Sequence, residues 1–408
     1  MKKDIISFYS YRIFSRFYFH VPVLFVFFYL KELSMIEIEL MLAIYGLVLM
    51  VSPKLIGGIK KAYKRKYTII IGEVIKALGL VCFINWSSFA ILIIGQVLSG
   101  LGYSFTAGTD SILLKSVFKK YGEGNENPYN YKYKKVESNS NSYMFIAFLI
   151  AGILGSIVFN WKQEYAFYLS ILSNIISIIS MLVISEDKEA EPAKDNTNTM
   201  DKKDPSIMDE KLKKEISFWK SYYSISRAFT LGSFVGFLPY FFFIVIDVNM
   251  YYFGLILSVF NLTGFIASRV ILNLSNKIGY KKLTIITLIL LAIALLIFGI
   301  FSNVIIGVVA ITLLGIASGG VRPLTLSHLN TLDLSSSERM KIISSMEQQY
   351  GFWNALLLIL GGVVLNSYGF NKLMIGFAGV YLIIVLSLYI KHIQKGRKSV
   401  CESMSSDI

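Results

Sequence analysis

The sequence predicts an all-α polytopic membrane protein, with twelve transmembrane helices arranged as two pseudo-symmetric six-helix bundles. Three observations predict it. Residues of the AVILMFWYC class fill 55% of the 408 positions and charged residues only 16%, against about 25% charged in soluble domains. The apolar residues come in long runs, and a bilayer-spanning helix needs ~20 of them in succession. Those runs lack the two-residue alternation of a membrane barrel, so the helix is the form that satisfies a backbone in hydrocarbon. Finally, the basic residues are distributed unevenly along the chain: thirty of the 40 Lys and Arg fall in the two termini and the alternate connecting segments.

The expected spans are 9–30, 38–57, 67–85, 88–112, 140–160, 164–184, 221–246, 251–274, 283–301, 304–330, 342–365 and 370–390. The first opens MKKDIISFYSYRIFSRFYF, without a small-residue cleavage site, and is expected to stay as an uncleaved helix. Residues 186–215 are polar, highly charged and free of aromatics, a composition that cannot bury enough apolar surface to fold alone. They are expected to link an amino-terminal bundle (1–185) to a carboxy-terminal one (216–392), with a cytoplasmic tail at 393–408. Cys82 falls in an apolar run and Cys401 in the tail, so no disulfide framework is expected.

Lys and Arg accumulate on the cytoplasmic side of membrane proteins. With both termini inside, the inner segments hold the thirty basic residues, and the outer side holds Lys31, Lys162 and, at the outer end of the last span, Lys372. The formal charge of +14 therefore belongs at an anionic lipid surface, and no nucleic-acid partner is expected. Abundant Ile, Lys, Asn and Tyr fit AT-rich coding DNA and a prokaryotic plasma membrane.

The halves echo each other. Tyr9-Ser10-Tyr11-Arg12 opens the first span, and Tyr223-Ser224-Ile225-Ser226-Arg227 opens the seventh. A shift of 215 lays the NKIGYKK run at 276–282 on KAYKRKY at 61–67, so each half carries a basic turn after its second helix. Paired six-helix repeats are one common transporter layout.

The turn itself reads Gly57-Gly58-Ile59-Lys60-Lys61-Ala62-Tyr63-Lys64-Arg65-Lys66, and its second copy Leu274-Ser275-Asn276-Lys277-Ile278-Gly279-Tyr280-Lys281. On these residues and the layout of the whole chain, the sequence resembles the major facilitator superfamily. The resemblance implies alternating access between two bundles, with helices one, four, seven and ten lining a central cavity. It implies gating by this turn, for which Gly57, Lys61, Arg65, Asn276 and Gly279 are the matching positions. Lys61 stands where the family carries an Asp, so that salt bridge cannot form in the usual way. Helix four, Ile94 to Gly102, is partly similar to drug-proton antiporters, but Gln96 replaces their Arg. In helix five Ala151-Gly152-Ile153-Leu154-Gly155 lacks their proline.

Ionisable residues inside spans are costly and mark pathways or partners. Arg16 and His20, at i and i+4, are expected to share a face of helix one, and His20 could exchange a proton near neutral pH. Arg227, Arg322 and Glu347 complete the candidate substrate or proton site. Asp110, with His328 near the inner end of helix ten, is a gating candidate. Opposite charges at one level are expected to pair between the bundles and close the inner mouth. Arg12 is expected merely to reach the nearby surface. Glu73 and Lys76 are expected to neutralise each other within helix three.

The expected function is secondary active transport of a small molecule through the lipid bilayer, by preference export of an amphiphilic compound, with protons as the candidate coupling ion. Arg16, Arg227 and Arg322 keep open uptake of an anionic metabolite. A receptor or immunity protein on the same scaffold and a polytopic membrane enzyme are the alternatives of another class. The enzyme would need clustered acid–base groups, and the three His stand apart at 20, 328 and 392. No catalytic residue, metal or cofactor is expected, and no phosphate-binding G-x-x-x-x-G-K-[ST] run occurs.

Overall fold

The computed structural model describes residues 1–85, 88–120, 127–185, 210–332, 334 and 336–405. Among these, eleven helical segments are long and apolar enough to cross a membrane. The first expected span differs. It consists of α1 (Lys2–Phe14) and α2 (Leu24–Leu30), joined by turns. Two contacts hold the break. An ideal Cβ at Gly155 would lie 2.1 Å from the carbonyl oxygen of Phe19, so glycine alone admits this backbone approach. The His20 backbone N–H donates to Ser170 Oγ at 3.3 Å, which gives a donor freed from the helix a partner inside protein, as a membrane requires. Arg16 and His20 therefore do not share a helical face.

The other spans follow in order: α3 (Met35–Ala62), α4 (Arg65–Ile84), α5 (Phe89–Thr106) continued by α6 (Thr109–Lys120), α7 (Asn127–Trp161) and α8 (Tyr165–Val183). The bend between α5 and α6 falls at Gly108, whose φ of 76° is open to glycine at little cost. The seventh span is α9 (Glu210–Gly232), a π-turn Ser233–Phe237, α10 (Leu238–Tyr240) and a second π-turn Phe241–Val245. Then come α11 (Met250–Ile278), α12 (Tyr280–Ile300), α13 (Val304–Thr331), α14 (Ser336–Tyr368) and α15 (Phe370–Ser405). Of the expected linker, 186–209 lies outside the described residues, and its last six residues already belong to α9. The expected tail continues α15 to Ser405.

Lipid inverts the usual amphipathic pattern. On α8 the face turned inward carries Ser170, Ser173, Asn174, Ser177 and Ser180, all buried, whereas Ile179 and Leu182 are 55% and 53% exposed. Small and hydroxylated residues let helices approach and bond where no water competes. Gly319 meets the carbonyl of Gly264 in this way, joining α13 to α11.

Even numbers of spans place both termini on one face, called here the terminal face. On the opposite, far face, α3, α11 and α13 start with side-chain caps: Ser34 with Glu37, Asn249 on Tyr251, and Asn303 on Ile305. Each cap gives a partner to an amide that has none within its helix. The two halves meet where α3 packs on α14, α7 on α11, and α2 on α10. Phe25 and Tyr29 face Tyr240 and Phe243 there, with ring centroids 6.3 Å apart in both pairs. Towards the terminal face, α1 and α6 pack on helices of their own half, and so does α9.

Candidate functional site

Two ion-pair centres organise the two halves, and they correspond by the internal repeat. In the first, Arg12 on α1 is buried and pairs with Asp110 of α6 at 2.9 Å and Glu137 of α7 at 3.0 Å. Its guanidinium also donates to Ser111 Oγ at 3.2 Å. In the second, Arg227 on α9 donates to both oxygens of Glu347 on α14 at 2.8 Å. The Tyr223 hydroxyl donates to the same carboxylate at 2.6 Å and accepts from Arg227. Each centre thus ties the first span of its half to the fifth. Five N–H donors in a planar fork suit Arg for bridging several acceptors at once.

The expected pairing between bundles is not what forms. Asp110 and Glu347 both pair inside their own halves, with Arg12 and Arg227 respectively. Arg12 does not reach for the surface; its side chain is 5% exposed.

Between the halves lies a site lined by tyrosine and arginine. Arg16, in the unwound stretch after α1, donates to the Tyr18 hydroxyl at 3.2 Å. Its guanidinium lies 5.2 Å from the ring of Tyr103 on α5, a cation–π distance. Tyr103 is 6.2 Å from Tyr45 on α3. These rings join Leu49, Ala228, Tyr350, Leu231 and Trp353 in an apolar patch that spans both halves. Tyr350 in turn receives Arg227 at 4.6 Å. Arg322 on α13 completes the set from the C-terminal half. It is exposed rather than packed, and Tyr223, Glu347, Arg227 and Tyr103 are its electrostatic neighbours. Neither Arg16 nor Arg322 has a carboxylate partner among the described residues. Of these three guanidiniums, that of Arg227 is the one with an ion pair among the described residues.

The remaining candidates fall elsewhere. His20 is buried inside the N-terminal half, with Nδ1 2.9 Å from Ser170 Oγ. His328 stacks on Trp219 at 4.5 Å and bonds Glu215 at 2.8 Å, within the C-terminal half. Glu73 and Lys76 do pair, at 2.6 Å. Gly57 is helical, and a Cβ there would meet nothing within 4 Å, so the turn is shorter than expected, at Tyr63-Lys64. Arg65 opens α4, and the neighbouring Lys66 Nζ donates to the carbonyls of Leu182 and Ile184 at 2.6 and 2.8 Å. Gly279, with φ 90°, ends α11. The side chains of Lys61 and Asn276 lie outside the described ones. Sequence reasoning missed Arg12, Glu137, Tyr18, Tyr45 and Tyr103. The repeated Tyr-Ser…Arg opening already held the signal for Arg12, since its counterpart is Arg227.

The family model described as Major Facilitator Superfamily matches residues 9–271 and 248–400. The chain belongs to the Major Facilitator Superfamily. It is therefore a secondary transporter that works by alternating access, not an enzyme. Solved structures of similar fold include the nucleoside transporter NupG, 13% identical with a TM-score of 0.72, covering 95% of this chain and 98% of that one. A POT family transporter in complex with 5-aminolevulinic acid is 11% identical with a TM-score of 0.75, covering 96% of each chain. The human organic anion transporter MFSD10 (TETRAN) is 11% identical with a TM-score of 0.66, covering 95% of this chain and 99% of that one. At such identities the likeness is one of fold. No curated protein matches the chain. In this facilitator the tyrosine patch draws on both halves, Tyr45 and Tyr103 from the first and Tyr350 from the second.

Proposed function

We propose that this facilitator carries a small organic anion with an apolar or aromatic portion, across the cell membrane, with the terminal face in the cytosol. One observation carries the reading: Arg16 and Arg322 stand beside a tyrosine-lined patch, and neither forms an ion pair with a carboxylate among the described residues. Arg322 is exposed and Arg16 half-buried, so both guanidiniums are open to a substrate anion, to which they can offer charge-assisted hydrogen bonds. Tyr45, Tyr103, Tyr350 and Trp353 suit the apolar portion, since their rings combine apolar area with a polar edge. This narrows the amphiphile expected from sequence to an anionic one. Alternating access is reversible, so the site's chemistry names the substrate while the coupled gradient names the direction. The cytosolic assignment rests on the thirty basic residues of the terminal-face segments.

The test is a thermal-shift screen of purified protein against matched anionic, neutral and cationic aromatic compounds, followed by flux of the hits in proteoliposomes under imposed proton gradients. Stabilisation by anions, lost in Arg322→Ala and Arg16→Gln with folding intact, is the expected result. Stabilisation by cations, or anion binding unchanged in both variants, would sink the reading. Inward or outward flux against each gradient then separates uptake from export.

A further inference from the structure

Glu39 lies on α3, five residues beyond its capped start at Ser34, where that helix crosses from its own half to meet the other. Its side chain is completely buried, and neither carboxylate oxygen has a hydrogen-bond partner among the described residues. Helices of the C-terminal half enclose it. An ideal Cβ at Gly236, in the first π-turn of span seven, would lie 2.6 Å from Glu39 Oε2, and one at Gly362 on α14 would lie 2.8 Å from Glu39 Cβ. The Ser233 hydroxyl, one turn from Gly236, is likewise buried without a hydrogen-bond partner among the described residues.

No compensating charge faces the carboxyl. The segments packed over it, 233–240 and 354–368, contain no Lys, Arg, His, Asp or Glu, and their titratable side chains are Tyr240 and Tyr368. On its own helix Glu37 is the neighbouring acid, and it is engaged at the Ser34 cap. Glu39 lies beyond the first turn, where the helix dipole fades. The far end of α2 and the start of α5 add no charged residue between Leu24 and Leu30 or between Phe89 and Gly95. An ionised carboxylate in such surroundings is strongly disfavoured, whereas a neutral carboxylic acid is tolerable. Separating α3 from the first π-turn of span seven and from α14 would return the group to water, where a carboxyl ionises at an ordinary carboxylate pH.

We propose that Glu39 is a proton-binding latch of the far-face gate: the gate closes with one proton on Glu39 and opens as that proton leaves. The proton enters and departs by the far face, because in the closed state the side chain has no exposed surface. Glu39 thus sets the balance of the two conformations by the pH on that face and is not itself the carrier of transported protons. The proposal uses alternating access and is independent of the substrate assigned above. By linkage, the ratio of closed to open gates falls about tenfold per pH unit above the open-state titration.

The experiment takes full-length protein carrying Cys82→Ser and Cys401→Ser, with spin labels at Trp161→Cys and Tyr368→Cys, exposed ends of α7 and α14 on opposite halves. Pulsed dipolar distances are measured in nanodiscs from acidic to alkaline pH. The expected result is a closed population that gives way to an open one as pH rises. Glu39→Gln and Glu39→Leu, two uncharged replacements, stay closed and pH-independent, while Glu39→Asp still titrates. A flat response in the parent protein would overturn the latch, whichever variants fold. So would a Glu39→Gln protein that titrates as the parent does.

Discussion

At the scale of single residues, the same chemistry serves two purposes in this protein according to what surrounds it. Arg12 and Arg227 are held by carboxylates on the fifth span of each half; Arg16 and Arg322 form no ion pair among the described residues, which is why the proposed function assigns them to the substrate. The distinction yields a prediction. Arg12→Ala strands Asp110 and Glu137 in a buried site and should cost about 3–5 kcal/mol. Arg227→Ala should cost less, because Arg227 and Glu347 side chains are 18% and 33% exposed and water screens what remains. Thermal unfolding of the two variants in one detergent checks the order. Equal losses would show that exposure at Arg227 brings no screening. Arg322→Ala, by contrast, should leave the melting temperature within a degree or two and abolish ligand-induced stabilisation.

Helices decide what glycine is for. Gly155 and Gly319 each stand where a Cβ would come within 2.1 Å of a carbonyl oxygen on another element, and backbone cannot yield as a flexible side chain can. Overpacking of that kind typically costs about 1–3 kcal/mol, so Gly155→Ala and Gly319→Ala should both lower the unfolding temperature. Gly57→Ala should do the reverse, by up to ~1 kcal/mol, since its helix surface is open and alanine is the better helix former. A stabilised Gly319→Ala would contradict the close packing of α13 on α11. The broken first span belongs at this scale too. Hydropathy averaged over residues 9–30 sees one apolar run, but Pro22, the Gly155 contact and Ser170 make two short helices cheaper than one. The unwinding carries Arg16 into the site and turns His20 away from it.

For the whole molecule the question is how the halves move. Far-face closure depends on aromatic contacts between Phe25 and Tyr240 and between Tyr29 and Phe243, while the charged centres near the terminal face are internal to each half. A short bifunctional thiol reagent joining Tyr29→Cys to Phe243→Cys, in a background without Cys82 and Cys401, should stop transport but leave substrate binding from the terminal face intact. Reversal of the link should restore transport. Continued transport by the linked protein would show that this contact does not part during the cycle.

Composition and periodicity alone determined the helical class, eleven of the spans, the two-half layout and the set of arginines from which the site is built, because lipid admits so few solutions to an apolar chain. Partners were another matter. Which arginine meets a carboxylate, and which does not, depends on distances between helices far apart in sequence. Glu39 shows the limit best: an acidic residue in an apolar run looks unremarkable until the opposite half closes over it with no donor among the described residues. A side chain's own chemistry is written locally, but the water and charge around it are supplied by neighbours that only packing brings together.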